Sequence, residues 1–284
     1  MEYTIVEDDV AGKRINLSSP LTNSVIDFIN EHNLKSILLN QRLGWKSQEL
    51  SLLTQIKDLK CLYLMDDEIE DISVIEKLTS LENLLLECSH IKRVGDLSKL
   101  IRLNRVSIDW RPCLDSLHQL NSLECIRIDK YKAQDLSKFV SLPNLKRLDL
   151  VMGTINSLTG IERFTNLEKL MLYRCSKLTD ISSVTKNCIK ELEIESCKKI
   201  ANLEVTFEVR TLEKLIIDKC QEIGSITGIS NLTKLNKVTI ADTIILDGDM
   251  KKFGLLHNKG VKVWFTNKKF YSHKLEDLIG KPKW

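Results

Sequence analysis

One six-residue pattern, L-x-x-L-x-L, returns from Leu34 almost to the end of the chain. It reads LKSILL from Leu34, LKCLYL from Leu59, LENLLL from Leu81, LNRVSI from Leu103, LECIRI from Leu123 and LKRLDL from Leu145. It continues as LEKLML from Leu167, IKELEI from Ile189, LEKLII from Leu212, LNKVTI from Leu235 and a degenerate NKGVKV from Asn258. Successive starts lie 25, 22, 22, 20, 22, 22, 22, 23, 23 and 23 residues apart. The fourth and sixth positions of all 11 copies are Leu, Ile or Val, 22 of 22 sites, in a chain that is only 43% hydrophobic. Side chains two apart share one face of a strand. A unit this short cannot bury that face alone, so each copy must stack on its neighbours in a repeat array.

A second apolar pattern recurs between the strands, in Ile69-Glu-Asp-Ile72, Ile91-Lys-Arg-Val94 and Ile155-Asn-Ser-Leu158. The chain then turns back through Leu78, Leu100, Leu120, Leu142 and Phe164, with room for a helical turn or two. An open array exposes core at its ends, and both ends read as caps. Residues 2–18 are expected to form a strand or two. Ser19-Pro20 is the expected start of a helix with Leu21, Val25, Phe28 and Ile29 on one face. Ser272 to Gly280 reads as a short helix stopped by Gly280 and Pro282, with Phe270, Leu275, Leu278 and Ile279 over the last coil. The expected organisation is a cap over 1–33, the repeats over 34–265 and a basic cap over 266–284.

These repeats resemble the leucine-rich repeat family, over about four-fifths of the chain. Their roughly 22-residue period is similar to the short class of bacterial internalins and of a eukaryotic phosphatase-regulating protein. The resemblance implies an α/β solenoid, a right-handed horseshoe with a parallel concave sheet and short helical or 3-10 turns outside. It also implies that position nine holds a side chain bonding the backbone of the next coil. Cys175, Cys197 and Cys220 stand there in three successive copies, whereas Arg42, Asp67, Ser89, Arg111, Tyr131, Gly153, Thr243 and Thr266 depart from the pattern.

The remaining composition narrows the chemistry. Lys+Arg is 42 against Asp+Glu 39, too balanced for a general nucleic-acid binder. Only the stretch 266–284, KKFYSHKLEDLIGKPKW at its core, mixes Lys with aromatics, and a charged cap is preferred there to a base-stacking arm. MEYTIVEDDVAGKR has acids where an export signal needs a basic then apolar stretch, and no apolar run nears about 18 residues, so a cytoplasmic chain with no membrane contact is expected. The eight cysteines show no CxxC pair, which reads as reduced thiols. GxSxG, GxxxxGK[ST], GxGxxG and HExxH motifs are lacking. His32, His90, His118, His257 and His273 fall at unrelated repeat positions, Asp247-Gly248-Asp249 reads as a turn rather than a calcium loop, and no catalytic residue, cofactor or metal is expected. Cys61 and Cys125, at outward position three, would be reactive only beside a cation that lowers their pKa; small tolerated side chains are the preferred reading.

The informative surface is then the outward set at positions three, five and seven. Early copies offer an apolar patch of Leu38, Tyr63, Met65 and Leu85, beside Glu87 and with Trp45 in the long loop before it. Middle copies mix Arg105, Arg127 and Arg147 with Asp109, Asp129 and Asp149. Glu191, Glu193 and Glu195 form an acidic spot, with Tyr173 before it, and Trp110 and Trp264 beside strand ends are candidate anchors. Aromatic and Arg anchors ringed by charge dominate protein interfaces, so a monomer that binds one protein partner as a heterodimer is expected. Two bland readings stand beside this: opposite charges pairing with each other, and an N-terminal cap folding over the early patch. The family implies three roles: an immunity-type inhibitor of a bacterial toxin, an adaptor or regulatory subunit of an enzyme, or a virulence-associated effector.

Overall fold

The computed structural model describes residues 2–46, 50–139 and 142–280. The chain gathers into two compact units, Met1–Asp129 with Val140–Asn144, and Lys130–Phe139 with Leu145–Trp284. The first unit contains β1 (Tyr3–Asp8), β2 (Gly12–Leu17), helix α1 (Asn23–Glu31), β3 (Ser36–Asn40), β4 (Cys61–Met65), β5 (Asn83–Glu87), β6 (Arg105–Asp109) and β7 (Cys125–Asp129). β1 and β2 form an antiparallel hairpin, and β2 to β7 then pair in parallel and in chain order. The second unit contains β8 (Arg147–Val151), β9 (Lys169–Tyr173), β10 (Glu191–Glu195), β11 (Lys214–Asp218), β12 (Lys237–Ala241), α2 (Lys251–Asn258), β13 (Lys262–Phe265) and α3 (Leu275–Ile279). Its strands β8 to β13 are also parallel and in chain order.

Each coil is built as the pattern requires. The fourth and sixth positions point into the core, as Leu84 and Leu86 or Leu192 and Ile194 do, and the leading Leu joins them. The return segments are mostly 3-10 turns, with Ile69, Ile72, Ile91, Val94, Ile155, Leu158 and Phe164 buried beneath them. A short signal recurs at their starts: Asp71-x-Ser73, Asp96-x-Ser98, Asp135-x-Ser137 and Asp180-x-Ser182. In each, the Asp carboxylate accepts the N–H two residues on, at 2.8 to 3.0 Å. The Ser98 and Ser137 hydroxyls, ahead of these N–H bonds, hold Asp96 and Asp135 below the usual range, and the Ser73 and Ser182 N–H groups, joined by their hydroxyls, do the same for Asp71 and Asp180. Such Asx turns start these four returns.

Behind the strands, the two units differ by one residue of phase. In the second unit position eight is left-handed, with φ of 60° at Lys130, 51° at Met152 and Arg174, 56° at Ser196, 49° at Lys219 and 42° at Asp242. Its N–H donates to the position-seven carbonyl of the next coil, as Met152 to Tyr173 (2.7 Å) and Ser196 to Asp218 (2.8 Å). The turn sends position nine inward, and Tyr131, Cys175, Cys197 and Thr243 are buried. The first unit has no left-handed residue there, and position eight itself points in at Asp66, Cys88 and Trp110. The expected ladder at position nine is therefore continued in the first unit from position eight: the Cys88 thiol donates to the Leu64 carbonyl at 3.5 Å.

The caps also differ in detail from expectation. Helix α1 is capped by Thr22, whose hydroxyl accepts the Val25 N–H at 3.3 Å, so it starts after Ser19-Pro20. Helix α3 starts at Leu275, where the Asp277 carboxylate accepts the Lys274 N–H, and it ends at Gly280 with φ 73°. Leu275 is buried but Phe270 is 57% exposed; Pro282 lies outside the described residues. The last coil is shifted by two residues: Lys262 pairs with Lys237 and Trp264 with Thr239, so Val263 and Phe265 take positions four and six. Trp264 accordingly occupies position five, not seven. Gly260, at φ 88°, makes the turn that sets this register.

Candidate partner-binding face

Outward strand positions form one surface on each unit. On the first, the hairpin β1–β2 closes the early patch. Asp8, at the end of β1, accepts hydrogen bonds from the Ser36 hydroxyl (3.0 Å) and the Tyr63 hydroxyl (3.1 Å), and from the N–H groups of Val10 and Ala11. Arg14 lies over the Tyr63 ring at 4.9 Å, and Asn83 donates to the Tyr63 oxygen at 3.0 Å. Leu38, in register between Asn16 and Tyr63, is only 8% exposed, and it drops out as a partner contact. Burial acts to raise the Asp8 pKa, but these four donors outweigh it and hold the carboxyl below its usual range. Cys61 is fully buried, and burial beside Asp8 pushes its thiol up to about 12. The thiolate is the reactive form, so Cys61 is an inert core side chain. Trp45 is buried as well and adds nothing to this surface.

Tyr63, Met65 and Leu85 remain half-buried, and Glu87 and Arg105 exposed. Arg127 forks onto Asp129 of its own strand, at 3.0 and 3.2 Å. Asp109 is half-buried. Trp110 is 5% exposed: at position eight it points into the core, with its ring 5.3 Å from that of His118. It is not a surface anchor.

On the second unit the charges also pair among themselves. Arg147 binds Asp149 through its Nε at 3.0 Å and its Nη2 at 2.9 Å, and Asp149 is buried beneath the fork. Lys169 reaches Glu191 at 2.7 Å, and Lys214 bridges Glu193 and Glu191. The hydrogen-bonded Lys169 ammonium holds the Glu191 carboxyl below the usual range. The expected acidic spot is thus largely neutralised by lysines of the adjacent strands. Between these groups lies a dent of about 30 Å³ lined by Arg147, Lys169, Met171 and Glu193, room for little more than a water. Tyr173 is half-buried under Arg174, whose guanidinium carbon is 5.0 Å from the ring centre. Glu195 and Trp264 are half-buried on the same face.

No family model matches the chain. Over 160 residues it is 26% identical to the protein phosphatase 1 regulatory inhibitor subunit PPP1R7 homologue of Arabidopsis thaliana, a match covering 55% of this chain and 48% of that protein. The chain thus spans about half the length of that relative. An internalin, InlF, of Listeria monocytogenes matches in structure with a TM-score of 0.65 at 21% identity, over 80% of this chain and 68% of that one. A leucine-rich-repeat protein of Leptospira interrogans gives a TM-score of 0.62 at 15% identity, over 90% of this chain and 71% of that one. The fold is that of the leucine-rich-repeat proteins.

Within the leucine-rich-repeat frame, the cysteine column is structural. Cys175, Cys197 and Cys220, each just after its own strand, donate to the carbonyls of Leu150, Leu172 and Ile194 on the preceding strand, at 3.5 to 3.6 Å. Burial pushes the Cys220 thiol up to about 11, and Cys197 rises through its contact with Cys175 and through burial. Thr243 continues the column by accepting the Cys220 N–H at 3.0 Å. None of the eight cysteines is joined in a disulfide. Among the described residues no cluster of His, Cys, Asp and Glu is arranged to hold a metal, and no helix is long and apolar enough to cross a membrane. Asp247 caps a turn by accepting the Asp249 N–H at 3.1 Å.

Two further residues stand on this face, Lys237 and Lys262, which the repeat places among the outward positions but which are not among the candidate contacts named from the sequence. Lys237 stood in plain view at position three, but the misplaced register of the last coil put Lys262 at position five. The signal that restores it is Val263-x-Phe265 directly after Gly260, the only apolar pair there that ends in an aromatic.

Proposed function

We propose that the chain is a non-catalytic module that binds another protein across the outward face of its repeat strands. The observation that supports this best is the second unit, where Met171, Tyr173, Ile216 and Trp264 stand half-exposed among ion-paired Lys and Glu side chains. Apolar and aromatic groups framed by charge are how protein interfaces are made. The strands of this unit, fixed to one another by parallel ladders, lose little ordering entropy on docking.

The partner we favour is a cytosolic enzyme that this chain regulates. The curated relative is named as a regulatory inhibitor subunit of a phosphatase, which supports a regulatory role over a purely structural one. An immunity-type inhibitor bound to a toxin is a special case of the same arrangement, with the toxin as the enzyme held. Affinity capture with the wild type and with a folded Tyr173→Ala, Arg127→Glu variant tests the reading. Loss of the captured partner is expected, and equal recovery by both proteins overturns it. Co-expression with the captured enzyme then separates the roles: rescue of growth marks a toxin, altered turnover without toxicity a regulated enzyme.

A further inference from the structure

The ion pairs of the second unit stop before its last strands. Lys169 and Lys214 are taken up by Glu191 and Glu193. Lys237 on β12 and Lys262 on β13 are exposed, directly in register, and make no ion pair among the described residues. Register partners on adjacent strands lie about 5 Å apart, and like charges facing each other there destabilise the bare sheet. A carboxylate set between them relieves that repulsion. Two residues further along the same strands are Thr239 and Trp264, also in register and half-buried, with Ile216 beside Thr239 on β11.

We propose that the outward face of β11–β13 docks an acidic segment of the protein partner, with a carboxylate on Lys237 and Lys262 and an apolar side chain against Ile216 and Trp264. An extended segment places side chains two apart on one face, about 7 Å from each other, which matches the step from position three to position five. The segment therefore carries the pattern acidic-x-apolar. A nucleic-acid strand is disfavoured, because it bears a charge at every nucleotide and needs a continuous basic track, whereas Glu193, Glu195 and Asp218 border this strip. The proposal rests on the protein-binding reading above and assigns its partner chemistry.

Selection of a random twelve-residue phage-displayed library on the intact chain tests it, followed by titration of a synthetic consensus peptide. The enriched peptides are expected to share an acidic-x-apolar core. Their affinity is expected to fall on the order of tenfold in Lys237→Glu, Lys262→Glu. The milder Lys237→Gln, Lys262→Gln pair is expected to lose less, and it carries the test if the reversal variant loses its circular dichroism signal. No enrichment, peptides without acidic bias, equal binding to both variants, or equal affinity for a twelve-nucleotide oligo(dT) overturns the proposal. Peptides that bind but lose affinity only with Arg105→Glu or Tyr173→Ala overturn this strip while leaving the protein-binding reading intact.

Discussion

The two units follow one core rule and two loop rules. In both, the fourth and sixth positions of each strand fill the interior. Behind the strand, the second unit places a left-handed residue at position eight and buries position nine, while the first buries position eight directly. Met152 and Arg174 thus lie outside while Cys88 and Trp110 lie inside, although each follows its strand by the same count. A single backbone dihedral decides which side chain becomes core. The second contrast concerns the outward face. The first unit uses its early strands to hold the β1–β2 hairpin through Asp8, whereas the outward charges of the second unit pair between neighbouring strands, as Lys169 with Glu191 and Lys214 with Glu193.

The most disruptive test of this comparison removes a core side chain from each unit. Leu84→Ala and Leu170→Ala are each expected to cost about 2–5 kcal/mol in denaturant unfolding, because both leave a cavity in a fully packed coil. A cost near zero in either unit would break the claim that they share a core rule. Next comes Asp8→Ala, expected to cost about 1–3 kcal/mol by stranding the donors of Ser36 and Tyr63. Hydrogen exchange is expected to rise over 36–40 and 61–65, with no counterpart in the second unit.

The same carboxylate sets an acid limit. Its folded pKa is below the unfolded value of about 3.9, so it stabilises above that pH and the contribution is lost as pH falls through the folded value. Asp8→Asn is expected to flatten this part of the acid unfolding curve. Smaller still is Met152→Gly, which relieves a left-handed side chain and is expected to stabilise by about 1 kcal/mol. Trp110→Gly, at the same repeat position in the first unit, is expected to destabilise instead. The gentlest measurement changes no residue: native-state alkylation read by mass spectrometry is expected to label exposed Cys188 well before Cys61, Cys88, Cys175 and Cys197.

Much of the fold was legible because its signal is periodic. Alternation of Leu, Ile and Val marks the inward face of a strand whatever surrounds it, and repetition removes the ambiguity of any one copy. The candidate face was legible only as a set of positions. Which members are available to a partner depended on contacts far apart in sequence: the Tyr63 hydroxyl is held by Asp8, 55 positions upstream. Trp110 was lost to the core by a turn that no nearby glycine or asparagine announces.

The sequence by itself determined the strand order, the core positions and the parallel stacking of coils, since each follows from side-chain period and from units too small to stand alone. Only the tertiary structure decided the loop phase at positions eight and nine, the register of β13 and the closure of the early patch. Left-handed turns at Met152, Arg174 and Lys219 are held by hydrogen bonds that their N–H groups donate to carbonyls of the next coil, and such bonds exist only once that coil is in place.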